Sequence, residues 1–148
     1  MTDKPGNKPG FELFDHTADI GVHAYGNSVS DIFEQGARSM YSILFHNQIP
    51  EVELKGEFEI KLQSSDLEQL LVDWLDELLF IYSTENILIN DFKIDIDLDK
   101  FTLDARIKGE ELTDEQLKET IEIKAVTYHM LEIKKTDDSW TATIIFDI

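Results

Sequence analysis

The chain contains no cysteine, so disulfide bridges, thiolate zinc sites and cysteine nucleophiles are all excluded. Long apolar runs are missing as well. No stretch nears the roughly 18 consecutive apolar residues that a membrane helix needs. Residues 1–10 carry no apolar run of the kind a signal peptide requires. These absences together point to the cytoplasm. Positive charge is scarce: 13 basic side chains face 31 acidic ones, a formal net charge of −18. A body this acidic repels phosphate backbones, and nucleic-acid binders draw most of their affinity from Lys and Arg. Direct high-affinity nucleic-acid binding is therefore not expected. A basic protein partner or a hard cation fits better, while solubility alone is the simpler account of the same charge. No Gly-x-Gly-x-x-Gly, no P-loop and no Gly-x-Ser-x-Gly elbow occurs, which removes the strongest support for nucleotide binding and serine hydrolysis.

What is present suits one compact domain: 148 residues, of which 42% are hydrophobic, can bury a continuous core. Residues 1–9, MTDKPGNKP, read as a flexible tail with nothing to bury, leaving 10–148 as a single domain. Phe11 to Asp15 and Ile20 to Gly26 predict strands, the second with Ile20, Val22 and Ala24 on one face. Ser28 and Asp31 open a helix carrying Phe33, Ala37, Met40 and Leu44, and Pro50 closes the loop after it. Val52, Leu54, Phe58, Ile60 and Leu62 alternate as a strand from about 51 to 62, with a bend at Gly56. A second helix starts at a Ser65–Glu68 capping box and carries the stripe Leu67, Leu71, Trp74, Leu78 and Tyr82. Its breadth marks it as the more buried of the two.

Two alternating strands follow, through Phe92–Leu98 and Phe101–Ile107, joined by an Asp99-Lys100 turn. Thr113 to Lys118 suits one helical turn. The segments 121–126, 128–134 and 139–146 complete the chain as strands. Residues 51–109 thus spell strand–helix–strand–strand, set inside flanking parts that spell the same unit. The class is α+β, with a mainly antiparallel sheet and two main helices.

Chemistry concentrates at element boundaries. Asp15-His16-Thr17-Ala18-Asp19 places two carboxylates and an imidazole in one turn, which could hold a divalent ion or form an ordinary Asx-type turn. If Ile148 is the native end, its carboxylate lies one residue from Asp147, and oxygen ligands of this kind suit Ca²⁺ and Mg²⁺. Asp19 could join them if the first and last strands meet. A solvated strand end is the plainer reading of Asp147. Lys124, the one cation in Ile121–Val126, could pair with Glu122 or snorkel. His23 and His129 read as surface or packing residues, and Asp73, Asp76 and Glu77 as a solvated or partner-facing edge.

Four stretches carry a family resemblance: His16-Thr17-Ala18-Asp19-Ile20-Gly21 running on to Gly26, Asp73-Trp74-Leu75-Asp76-Glu77-Leu78-Leu79-Phe80, Ile123 to His129, and Phe146-Asp147-Ile148. In this order they resemble the motifs of the archease family. The resemblance implies an accessory protein, not itself a catalyst, that activates the RtcB-type RNA ligase. That ligase joins 3′-phosphate and 5′-hydroxyl ends in tRNA splicing and RNA repair. The accessory protein promotes guanylylation of the ligase and its multiple turnover. The resemblance further implies a divalent ion, Ca²⁺ or Mg²⁺/Mn²⁺, held by Asp19, Asp147 and the backbone of Ile148, and a role in activation for Lys124. Two alternatives stand beside it: a chaperone-like modulator of RNA-modifying enzymes, and a stand-alone metal-dependent hydrolase.

Overall fold

A computed structural model describes residues 8–16, 18–53 and 56–148. The tail reading over 1–7, the turn at Thr17 and the strand reading at Leu54 fall outside them. Ten elements follow in order: β1 (Gly10–His16), β2 (Asp19–Gly26), α1 (Val29–Leu44), β3 (Gly56–Gln63), α2 (Leu67–Glu85), β4 (Ile87–Asp97), β5 (Thr102–Glu111), α3 (Asp114–Leu117), β6 (Ala125–Lys135) and β7 (Trp140–Asp147).

The strands form two sheets, ordered β1-β2-β7-β6 and β3-β5-β4, and every described pairing is antiparallel. The nesting expected from the sequence holds. In the inner unit β3-α2-β4-β5 the last strand lies between the first two. In the outer unit β2-α1-β6-β7 it does so again, and β1 adds an edge.

Pleating explains which residues fill the core. Val22, Ala24, Ala142, Ile144 and Phe146 share the inner face of the first sheet and are buried. Ile60, Phe92, Leu103, Ala105 and Ile107 do the same in the second. Helix α1 packs on β1, β2 and β7 and also runs beside β4, where Ser30 Oγ donates to the Ile94 carbonyl at 2.9 Å. That bond satisfies an acceptor on the open edge of the second sheet. Helix α2 packs on its own sheet and on β6. The outer face of the second sheet is a charge ladder. Lys108 faces Glu57 and Asp91, Arg106 faces Glu59 and Lys93, and Lys61 reaches Asp104 at 3.9 Å. Cations collect there among carboxylates rather than as a basic patch.

Several expectations need correction. α1 is the more buried helix, with eleven of sixteen residues buried against seven of nineteen in α2. It is wedged between sheet and neighbour, whereas α2 leaves Phe80 63% exposed. The α2 cap is Asp66, whose carboxylate accepts from Gln69 N–H at 2.8 Å, so the helix starts one residue later than the Ser65–Glu68 pattern implies. Ser28 does cap α1, but Asp31 accepts from Asn27 N–H rather than from the cap residue. β3 begins at Gly56, and residues 51–53 are not strand. Residues 121–124 are also irregular. One strand, β6, covers 125–135 and carries a register shift between Thr127 and Glu132, with Met130 at φ 56°.

Candidate functional site

The antiparallel pairing of β2 with β7 places Asp19 directly opposite Asp147. β6 adds Ala125 on the other side of Asp147, and the Lys124 N–H donates to the Asp147 carbonyl at 2.7 Å. Sites 128 residues apart in sequence (147 − 19) thus become nearest neighbours at one end of a sheet. Directly opposite residues hold their Cβ atoms about 4.5–5.5 Å apart, and like charges so placed repel. Both aspartates are half-buried, which weakens the screening of that repulsion by water. Ile148 packs partly against the core, which fixes where the last residue lies. The side chain of Lys124 is exposed and, among the described residues, makes no ion pair with Glu122.

The turn that delivers Asp19 also sorts its neighbours. His16 pairs with Asp19 in the β1–β2 register, and Asp15 pairs with Ile20. Asp15 therefore sits on the opposite pleat from Asp19, and the two carboxylates read together from the sequence do not face one another. Ala18 closes the hairpin at φ 62°, a left-handed conformation that costs a residue with a Cβ about 1 kcal/mol.

Phe14 anchors the approach to the site. Its ring covers Gly21, where an added Cβ would run into it, and stacks on His23 with centroids 4.5 Å apart. His23 Nδ1 lies 3.2 Å from Thr143 Oγ1, tying β2 to β7 on the outer face. Ile145, on that same face, is fully buried. Gly21 and His23 of the motif are thus packing residues that hold β2 in register.

As a cation site the arrangement fits in part. Two carboxylates are the right donors for a hard ion, but such ions take six or more oxygens. Among the described residues no three Asp, Glu or His side chains converge on one point. The Asp147 carbonyl accepts from the Lys124 N–H, so among the described residues the backbone of Ile148 is the next oxygen donor at hand, with water or a partner to add more.

The second motif serves the fold more than the site. Trp74 is wholly buried and its Nε1 donates to the Phe33 carbonyl at 3.0 Å. Asp73 accepts from Ser64 Oγ at 2.6 Å and Gln69 Nε2 at 2.8 Å, so it is a bonded junction and not a solvated edge. Gln69 also donates to the Tyr128 hydroxyl at 3.1 Å, tying the third motif to α2. The signal for this junction was available in the sequence, as a Gln and an Asp at i, i+4 on a helix.

Comparison with known proteins bears on the family and the fold. The profile of the Archease protein family (MTH1598/TM1083) matches residues 11–148. A relative named Protein archease from Sulfolobus acidocaldarius is 38% identical over 138 residues, spanning 93% of this chain and 98% of its own. One of the same name from Methanothermobacter thermautotrophicus is 41% identical over 141 residues, spanning 94% and 99%. The solution structure of a Methanobacterium thermoautotrophicum protein is similar with a TM-score of 0.79 at 40% identity, spanning 94% of this chain and 99% of that one. A Thermotoga maritima crystal structure, titled an archease and possible chaperone, has a TM-score of 0.59 at 22% identity over 100% of this chain and 98% of its own. That likeness bears on the fold alone.

Proposed function

The chain belongs to the archease family, and from that premise we propose that it is a cytoplasmic, metal-carrying accessory protein that activates an RtcB-type RNA ligase without being the catalyst. The observation that carries this reading is the Asp19–Asp147 pairing at the end of the first sheet, beside Lys124. Two facing carboxylates concentrate negative charge at one end of the sheet, which a cation or a cationic partner would stabilise. A divalent ion such as Ca²⁺, Mg²⁺ or Mn²⁺, when bound there, would supply charge neutralisation at an oxygen ligand set. Asp19 and Asp147 would hold it, with the backbone of Ile148 as a third donor.

Lys124 extends beyond this pair as an exposed ammonium on a chain whose net charge is −18. Its use is to contact the ligase or the ligase's nucleotide. The acidic body favours docking beside a basic channel, where opposite potentials speed encounter. Guanylylation and turnover of the ligase are the steps this docking would promote. The alternative of a chaperone-like modulator needs no metal, and the facing carboxylates would then meet a cationic group of the partner.

Calorimetric titration of Mn²⁺ and Ca²⁺ into Asp19→Asn and Asp147→Asn, alongside ligase turnover, tests the proposal. Each variant should lose metal affinity about tenfold or more and fail to activate. Without metal, Asp147→Asn should unfold no earlier than the parent, because the like-charge contact is gone. Lys124→Ala should bind metal normally and activate poorly. Unchanged metal affinity in both aspartate variants would sink the site. Full activation without any divalent ion would favour the chaperone-like reading.

A further inference from the structure

The most exposed large apolar side chains among the described residues are Phe80, Tyr128 and Met130. All stand on α2 or β6, two elements that pack on each other. Gln69 meets the Tyr128 hydroxyl, while Leu79 and Ser83 line one recess with Ile121 and Ile123. The helix therefore runs antiparallel to the chain that enters β6. From Tyr128 back to Lys124 the chain spans about 13 Å, the length of about nine helical residues from Gln69. Lys124 thus lies level with the Asp76–Phe80 turn of α2, and its N–H reaches the Asp147 carbonyl. The seam between α2 and β6 runs on into the aspartate pair.

On α2 the exposed ring is set in acid. Asp76 and Glu77 precede Phe80 by one helical turn, so the three side chains share one face. Neither carboxylate has a cationic partner among the described residues. Partial burial, and then the charge of Asp73, hold the Asp76 carboxyl above its ordinary range, a cost that a cation relieves. An aromatic ring beside two carboxylates suits a guanidinium better than an ammonium, because arginine stacks on rings and meets carboxylates through a flat fork. At the other end of the seam, a register shift between Thr127 and Glu132 interrupts β6, the edge strand of its sheet, and Met130 takes a φ of 56°. Bulges re-aim side chains, and this one leaves Tyr128 and Met130 exposed. A second copy of the chain is a poor occupant, since two bodies of net charge −18 repel.

We propose that the seam between α2 and β6 is a docking face for a basic, arginine-bearing segment of a protein partner, with a guanidinium seated on Phe80 against Asp76 and Glu77 and apolar side chains on Tyr128 and Met130. The inference rests on the activation reading for the partner's identity: the ligase would dock here, with its active centre at the neighbouring aspartate pair.

Two measurements on the full chain separate the face from that reading. In the first, a short blocked peptide of alternating arginine and alanine and its lysine counterpart are titrated calorimetrically at low salt. The arginine peptide should bind about two- to fivefold more tightly, the value of a cation–π contact at an exposed site. Phe80→Ala should erase that preference while melting with the parent. In the second, the ligase is bound to the chain in EDTA, so that metal plays no part. Glu77→Lys should weaken binding about tenfold or more, and Phe80→Ala should weaken it less, with Ca²⁺ affinity unchanged in both. Folded variants that bind the ligase as the parent does would overturn the proposal, whatever the aspartate variants do. A parent chain that binds both peptides alike would also overturn it, leaving only the diffuse acidic surface. If the arginine preference holds but the ligase does not bind the parent, the face stands and the activation reading alone fails.

Discussion

Asp76 and Asp73 sit three residues apart on α2, and the structure treats them differently. Asp73 is bonded to Ser64 and Gln69. Asp76 is exposed in solvent terms, yet its carboxyl holds its proton more tightly than an ordinary aspartate, first through partial burial and then through the charge of Asp73. A carboxyl whose folded affinity for protons is raised stabilises the protonated state, so its charge costs stability once pH rises through that folded value. Asp76→Asn should therefore stabilise the protein at pH 7, by ~0.5 kcal/mol or less after solvent screening. The gain should shrink as pH falls and vanish below the ordinary carboxylate range. Denaturant unfolding at several pH values measures it, and a gain that grows on acidification would contradict the assignment. The sequence pattern showed three acids along a helix but not which of them is bonded. That depends on Ser64 and Tyr128, which reach α2 from a loop and from β6.

At the scale of elements, periodicity located most of the pieces because the faces alternate cleanly where one side is buried. It failed where side chains on irregular backbone mimic alternation. Ile121 and Ile123 pack inward from a segment that is not strand, and the register shift in β6 joins into one element what the pattern had split in two. The β1–β2 hairpin was legible, yet the separation of Asp15 from Asp19 required its register, since a shift of one residue moves a side chain to the other face. Gly21 provides the test at this scale. Gly21→Ala would push a methyl into the Phe14 ring, which in turn stacks on His23. Overpacking of this kind costs about 1–3 kcal/mol, and a drop in melting temperature should report it. Phe14→Ala in the same background should restore part of the loss by clearing the ring. If Gly21→Ala melts with the parent, Phe14 is free to swing aside and does not hold the register.

Across the whole molecule, nesting was readable from the order of elements, but the matching placement of the last strand between the first two in both units was not. Strand order is set by which edges meet, and no single segment encodes that. The same nesting brings the first and last strands of the outer unit together, so the aspartate pair depends on closure of the entire chain. Charge acts at this scale too. At a net −18 the folded chain repels itself, and at about 10 mM salt the screening length of ~30 Å spans the molecule, against ~8 Å at 0.15 M. Raising NaCl over that range should raise the melting temperature by about 2–4 °C, equivalent to ~1 kcal/mol for a chain of this size. Association with a basic partner should respond with the opposite sign, because salt screens that attraction. Divalent ions separate general screening from a site. At matched ionic strength, Ca²⁺ or Mn²⁺ should stabilise the parent chain beyond NaCl, and Asp147→Asn should erase that excess while keeping the NaCl response. If the divalent excess survives in Asp147→Asn, the ions act on the diffuse acidic surface, and the facing carboxylates at the end of the first sheet do not hold them.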